Sequence, residues 1–174
     1  LHGYTRMFEN MLLDEPNIHI RLQVDFFKDK KELPYFGKLI FTGPIDSYFA
    51  QQGLPKLEYR SLRFEEEYIS NCDFFQECMV VNYPSQNEAF TRIVEYKHLP
   101  NQPHQTKDTF ICREYSSDTG DPYYPIPNER NRNLYDKYKK MADKEENVIF
   151  VGRLASYKYF NMDEAILNAL ELSE

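Results

Sequence analysis

Apolar positions recur along the chain with two different periods, and the periods predict its elements. Between residues 4 and 12 they fall at Tyr4, Met7, Phe8, Met11 and Leu12, the spacing of a single helix face. From 18 to 26 they alternate without a fault, at Ile18, Ile20, Leu22, Val24 and Phe26, which predicts a half-buried strand. A short apolar strand is expected over 38–42, closed by Gly43-Pro44. Further strands are expected over 57–68, 79–83, 90–96 and 109–115, and they follow one another without helical spacers. That succession predicts an antiparallel sheet. Residues 99–107 and 116–129 hold half of the prolines and read as loops. A polar helix is expected over 133–142, with Leu134, Tyr138 and Met141 inward. The run over 148–151 is wholly apolar, as in a buried parallel strand. A closing helix follows over 162–172, with Asn161 as its natural N-cap and Asp163 and Glu164 in its first turn.

The ends of the chain therefore differ from its middle. We expect an α+β fold in which a central antiparallel, or mixed, sheet with flanking helices is joined by terminal strand and helix pieces of an incomplete Rossmann-like layer. The expected division is 1–56 partly in that layer, 57–129 as the antiparallel-sheet domain, and 130–174 returning to the layer. No internal repeat and no low-complexity segment interrupts this pattern.

Composition narrows the function classes. The chain has 174 residues, of which 41% are hydrophobic, and a formal net charge of −7. The negative charge argues against a broad nucleic-acid or membrane-binding face, while an anionic ligand can still be held by local arginines. No apolar run approaches the roughly 18 residues a membrane helix needs, and no signal peptide is visible. The chain opens at Leu1, which we read as a processed product or a piece of something longer. Cys72, Cys78 and Cys112 lack CxxC spacing and point to a reducing cytoplasm. His2, His19, His98 and His104 are scattered, and no metal site is expected.

Candidate chemistry begins with arginines. Arg60 in LEYRSLRF, Arg92 in FTRIVEYKH and Arg153 in VGRL each sit in or beside a predicted strand, where an arginine usually has a partner. One such residue could simply face solvent or pair with glutamate; three together suggest bidentate contacts with phosphate or carboxylate. In Asp121-Pro122-Tyr123-Tyr124-Pro125 the prolines restrict two phenols, which suits either a rigid loop or a hydrogen bond donated to phosphate. Glu114 could be a solvated strand face, and Asn82 a turn former at a strand end. In NVIFVGRLASYKYFNMDEAIL, residues 147–167, the apolar strand runs into a glycine, a cation and aromatics, then a capped helix whose first amides suit an anion. Yet the six glycines, Gly3, Gly37, Gly43, Gly53, Gly120 and Gly152, form neither GxGxxG nor GxxxxGK[ST]. The chain thus supplies no glycine-rich pyrophosphate cradle of its own.

Taken together, GYTRMFENML, FTGPID, LEYRSLRF, VVNYP, TRI followed by E-K-H, REYS, PYYP and NVIFVGRLASYKYFNMD resemble, in order, the carboxyl-terminal half of the UDP-galactopyranose mutases. The resemblance covers essentially the whole chain. It implies a flavoenzyme that interconverts UDP-galactopyranose and UDP-galactofuranose, with reduced FAD acting as a nucleophile through a flavin N5–sugar adduct and no net redox change. It also implies roles by position. Arg92 and Arg153 resemble the arginines flanking diphosphate and flavin, and Glu114 an acid near the sugar. Tyr124 and Tyr159 resemble the phosphate-binding tyrosines, and Asn82 a substrate contact. Arg60 resembles a supporting arginine near the flavin. Phe160, Asn161, Met162, Asp163, Glu164 and Ala165 resemble the segment closing over the flavin. Asn161 stands where many members have Asp, and it cannot carry charge.

The resemblance implies UDP-galactose and UDP-galactofuranose as small-molecule partners, and no nucleic acid. On its own the chain is expected to hold FAD poorly and to turn over nothing. Its apolar edge is expected to favour a homodimer. The competing expectation is a non-catalytic module, either binding sugar nucleotides or carrying a degenerate site.

Overall fold

A computed structural model describes residues 3–100 and 106–172. Its elements run α1 (Gly3–Leu12), α2 (Phe26–Asp29), β1 (Leu39–Phe41), α3 (Ile45–Tyr48), β2 (Tyr59–Ile69), β3 (Val80–Asn82), β4 (Arg92–Glu95), β5 (Thr109–Ser117), β6 (Tyr124–Pro125), α4 (Glu129–Ala142), β7 (Val148–Phe150) and α5 (Met162–Glu171). The fold is α+β. Five strands form an antiparallel sheet in the order β3-β4-β5-β2-β6, and β1 and β7 form a separate parallel pair. The parallel pair is in register, with Leu39, Ile40 and Phe41 opposite Val148, Ile149 and Phe150. It is the whole of the expected Rossmann-like layer's sheet among the described residues. β7 itself is only half-buried, and Val151 beyond it is buried.

The described residues fall into two compact units. One draws on Leu1–Tyr35, Glu66–Val81 and Val94–Cys112; the other on Phe36–Glu65, Asn82–Ile93 and Arg113–Glu174. The core of the second unit is Ile45, Phe49, Leu57, Leu134, Tyr138 and Tyr157, with Tyr59, Tyr135 and Phe150 packed on it. Its polar atoms are satisfied by pairing. Tyr138 donates to the Pro55 carbonyl at 2.8 Å, and buried Asp46 accepts the Leu57 amide and the Tyr59 hydroxyl. Burial, reinforced by Asp46, pushes the Tyr59 phenol well above its usual range, so it stays a neutral donor. In the first unit Ile111 and Cys112 are buried beside Glu95, Lys97 and Thr109.

Three expectations need correction. Residues 18–26 form no strand; Ile18, Ile20, Leu22 and Val24 are exposed. Alternation alone cannot make a strand without a neighbour to take its backbone bonds. Here Asp25 turns the chain instead, accepting the Phe27 and Lys28 amides at the start of α2. The helix expected over 133–142 begins earlier, at Glu129. Asn128 caps it through Oδ1, which accepts the Asn131 amide at 2.7 Å. Its first turn, Glu-Arg-Asn-Arg, is all polar and shows no periodicity. The loop expected over 116–129 contains the end of β5, all of β6 and the first residue of α4. Of the loop expected over 99–107, residues 101–105 lie outside those described. The apolar stripe of α1 is helical as expected, but none of its described residues is buried. Among the described residues no helix is long and apolar enough to cross a membrane.

Candidate functional site

The second unit carries an open pocket of about 260 Å³ lined by Arg60, Ser61, Leu62, Asn82, Thr91, Arg92, Glu114, Ser116 and Tyr124. Each strand contributes a short piece of wall. Arg60 and Tyr124 are directly opposed across the β2–β6 pair, which places the second phenol of the PYYP run opposite the β2 arginine. The Thr91 amide and hydroxyl both donate to the Glu114 carbonyl, at 2.8 and 3.0 Å, and this fixes Arg92 beside Glu114. Arg92 Nε then donates to Glu114 Oε2 at 2.5 Å. Glu114 is 8% exposed and Arg92 37%. The hydrogen bond from Arg92 to Glu114, with Tyr124 adding to it, raises the guanidinium pKa further and keeps the cation permanent. Arg60 is paired with Asp118.

The second group of candidates sits around Arg153. Gly152, two residues past the end of β7, has φ +89°, a conformation L side chains rarely adopt, and its amide donates to Asn168 Oδ1 of α5 at 3.1 Å. The chain therefore turns out of the strand at Gly152 and presents Arg153. The Arg153 guanidinium lies 4.7 Å from the Tyr124 ring centre and 4.4 Å from that of Tyr159. Those rings stack on each other at 5.6 Å and 14°. Nη1 donates to the Phe160 carbonyl at 3.1 Å, while buried Nε and Nη2 have no hydrogen-bond partner. Buried charged donors without acceptors are costly, and a bound anion would satisfy them.

The structure thus gathers Arg60, Asn82, Arg92, Glu114 and Tyr124 into one pocket, and joins Arg153 and Tyr159 to it through Tyr124. Phe160 reaches Arg153 through its carbonyl. Asn161, Met162, Asp163, Glu164 and Ala165 do not line the pocket; they form the cap and first turn of α5. There Glu164 Oε2 accepts the Asn161 amide at 2.7 Å, half of a capping box. Tyr157 is a core residue. Its hydroxyl donates to the Glu58 carbonyl, its ring stacks on Tyr135, and it is buried despite φ +47°.

Leu62, Ser116, Thr91 and Ser61 were missed in the sequence. Leu62 and Ser116 lie two residues from Arg60 and Glu114 on the same strands, so period-2 reading outward from those residues would have found them. Thr91 acts through its backbone and hydroxyl on Glu114, and Ser61 is buried with its hydroxyl unpartnered. Neither leaves a sequence signal. Among the described residues no group of three or more His, Cys, Asp or Glu side chains could hold a metal.

Comparison with known proteins gives a consistent result. The family model described as UDP-galactopyranose mutase matches residues 1–159. The chain is 37% identical to a probable UDP-galactopyranose mutase of Klebsiella pneumoniae and 35% to a UDP-galactopyranose mutase of Mycoplasma genitalium. It is 34% identical to a dTDP-fucopyranose mutase of Escherichia coli. Each alignment covers 99% of this chain but 44–46% of the relative, so the chain spans under half the length of the relatives it matches.

Proposed function

The chain belongs to the UDP-galactopyranose mutase family, and from that membership and the pocket we propose that it is the carboxyl-terminal part of an enzyme interconverting UDP-galactopyranose and UDP-galactofuranose. The observation that carries this reading is Arg153, whose Nε and Nη2 are buried without partners against the stacked Tyr124 and Tyr159 rings. A diphosphate placed there would satisfy both donors. Reduced FAD, when bound, would supply the nucleophile at flavin N5 that takes the sugar from the diphosphate. The orphaned Arg153 donors and the adjacent phenols fit an electron-rich flavin edge and an anion side by side.

The chain's own residues then have separable tasks. Arg153, Tyr124 and Tyr159 hold the diphosphate and stabilise the charge that grows on it as the sugar departs. Arg92, kept charged by Glu114, adds a second fixed cation at little reorganisation cost. Glu114 aligns Arg92, and Asn82 offers an amide to the sugar or nucleotide. Arg60, opposed to Tyr124 on the pocket wall, would meet the diphosphate from the flavin side, and the Phe160–Ala165 turn would close over the flavin. The reading places the reaction in the cytoplasm and allows a homodimer.

Similarity to a dTDP-sugar mutase as well as to UDP-sugar mutases leaves the shared chemistry, ring interconversion of a nucleotide-diphosphate sugar, as the firmest part of the proposal. Calorimetric titration of UDP and dTDP into the chain tests it. We expect UDP to bind, and Arg153→Ala to weaken it by about tenfold or more through loss of charge-assisted bonds. Equal binding by parent and variant would refute the role of Arg153, and absence of nucleotide binding would favour a degenerate module.

A further inference from the structure

The two arginines lining the pocket hold their counter-ions in different ways. Glu114 is buried, bonds Arg92 at 2.5 Å, and belongs to a strand tied to Thr91 by two more hydrogen bonds. An incoming anion cannot easily displace it, because that would strand a buried carboxylate. Arg60 is paired instead with Asp118, and both side chains are exposed, at 51% and 78%. Asp118 rides on the turn that follows β5. Ser117 Oγ shapes that turn, donating to the Thr119 carbonyl at 2.8 Å and accepting the Thr119 amide at 3.1 Å. Gly120, at φ +121°, then brings the backbone down on Ser61, where an added Cβ would lie 2.5 Å from Ser61 Oγ. The turn delivers a carboxylate to the pocket arginine whose pairing is solvent-exposed.

We propose that Asp118 is an internal stand-in for the anionic ligand: it neutralises Arg60 until a nucleotide diphosphate binds, and thereby sets ligand affinity. This deepens the reading of the pocket as a sugar-nucleotide site and rests on it. Carboxylate and phosphate oxygens meet a guanidinium with the same geometry, so the two compete for one fork of donors. Displacing Asp118 costs little because exposed pairs are weak. Its charge nevertheless stays near Arg60 and opposes the diphosphate. Asp118 is therefore a positioning residue, acting through Arg60.

The test is calorimetry on the 174-residue chain with UDP and with inorganic pyrophosphate. Asp118→Asn is expected to lower both Kd values about twofold to fivefold, and the gain is expected to fade near 0.5 M salt as screening grows. In an Arg60→Gln background Asp118→Asn is expected to change nothing, since no cation remains to be released. Equal Kd values for Asp118→Asn and the parent would overturn the proposal. So would the same gain in the Arg60→Gln background, which would mean a general effect of lost negative charge. If the parent binds UDP and weakens on Arg153→Ala while Asp118→Asn is silent, this inference alone fails. If UDP binds neither protein, it falls together with the functional reading.

Discussion

Single residues in this chain are decided by how their polar atoms are paired. Glu95 is wholly buried, and its carboxylate accepts from the Thr109 hydroxyl, the Phe75 and Gln76 amides and His98 Nε2. Burial works to raise its pKa, but those bonds outweigh burial and hold the carboxyl below its ordinary value of 4.5. The folded group thus binds its proton less readily than the unfolded one. Its contribution to stability is fully present above pH 4.5 and is lost as pH falls from there through the folded pKa. Thermal unfolding between pH 7 and 3 should show a steep acid limb, and Glu95→Gln should flatten it while lowering neutral stability by about 2 kcal/mol. An unchanged acid limb in the variant would refute the role of Glu95. At this scale Arg60, Arg92 and Arg153 were legible in the sequence because arginine is uncommon beside strands. Asp118 and Thr91 were not, since nothing about an aspartate in a turn or a threonine before an arginine says which partner it will meet.

Elements follow local pattern wherever a neighbour or cap supports it. The predicted strands β2 and β5 and the closing helix α5 all form close to their expected bounds, because apolar spacing and caps agree there. The stretch over 18–26 has as clean a pattern and forms no strand, for want of a partner ladder. The end of β7 shows the opposite case, in which one backbone angle decides. Gly152 sits at φ +89° with no atom within 4 Å of an added Cβ, so a substitution there would meet strain without any clash. Gly152→Ala should cost about 1–2 kcal/mol in denaturant unfolding, and Gly152→Asn less, because Asn tolerates the left-handed region better. Equal costs for Ala and Asn would point to packing rather than backbone strain. The same angle turns Arg153 out of the strand, so Gly152→Ala should also weaken UDP binding.

At the scale of the whole molecule, the chain spans under half the length of the relatives it matches. The β1–β7 pair has two strands, and Met162, Ile166, Leu167 and Leu170 of α5 are exposed. Isolated two-stranded sheets are marginal, and exposed apolar faces favour further burial. Purified alone, the chain should carry little flavin; a yellow product with stoichiometric FAD would overturn that expectation. Co-expression with the amino-terminal half of the Klebsiella relative should raise its yield and flavin content, whereas exposed faces that serve only self-association would leave both unchanged. The sequence by itself determined the fold class, most strand and helix positions and the family, and it singled out the arginines and tyrosines that the fold gathers at the candidate site, because periodicity, caps and residue chemistry are local properties. Tertiary structure alone decided that Tyr157 is core while Tyr159 meets Arg153, that Glu114 serves Arg92 and Asp118 serves Arg60, and that two guanidinium donors are left buried without partners. Those are pairings between residues distant along the chain, and they exist only once the strands are in register and the turns have closed.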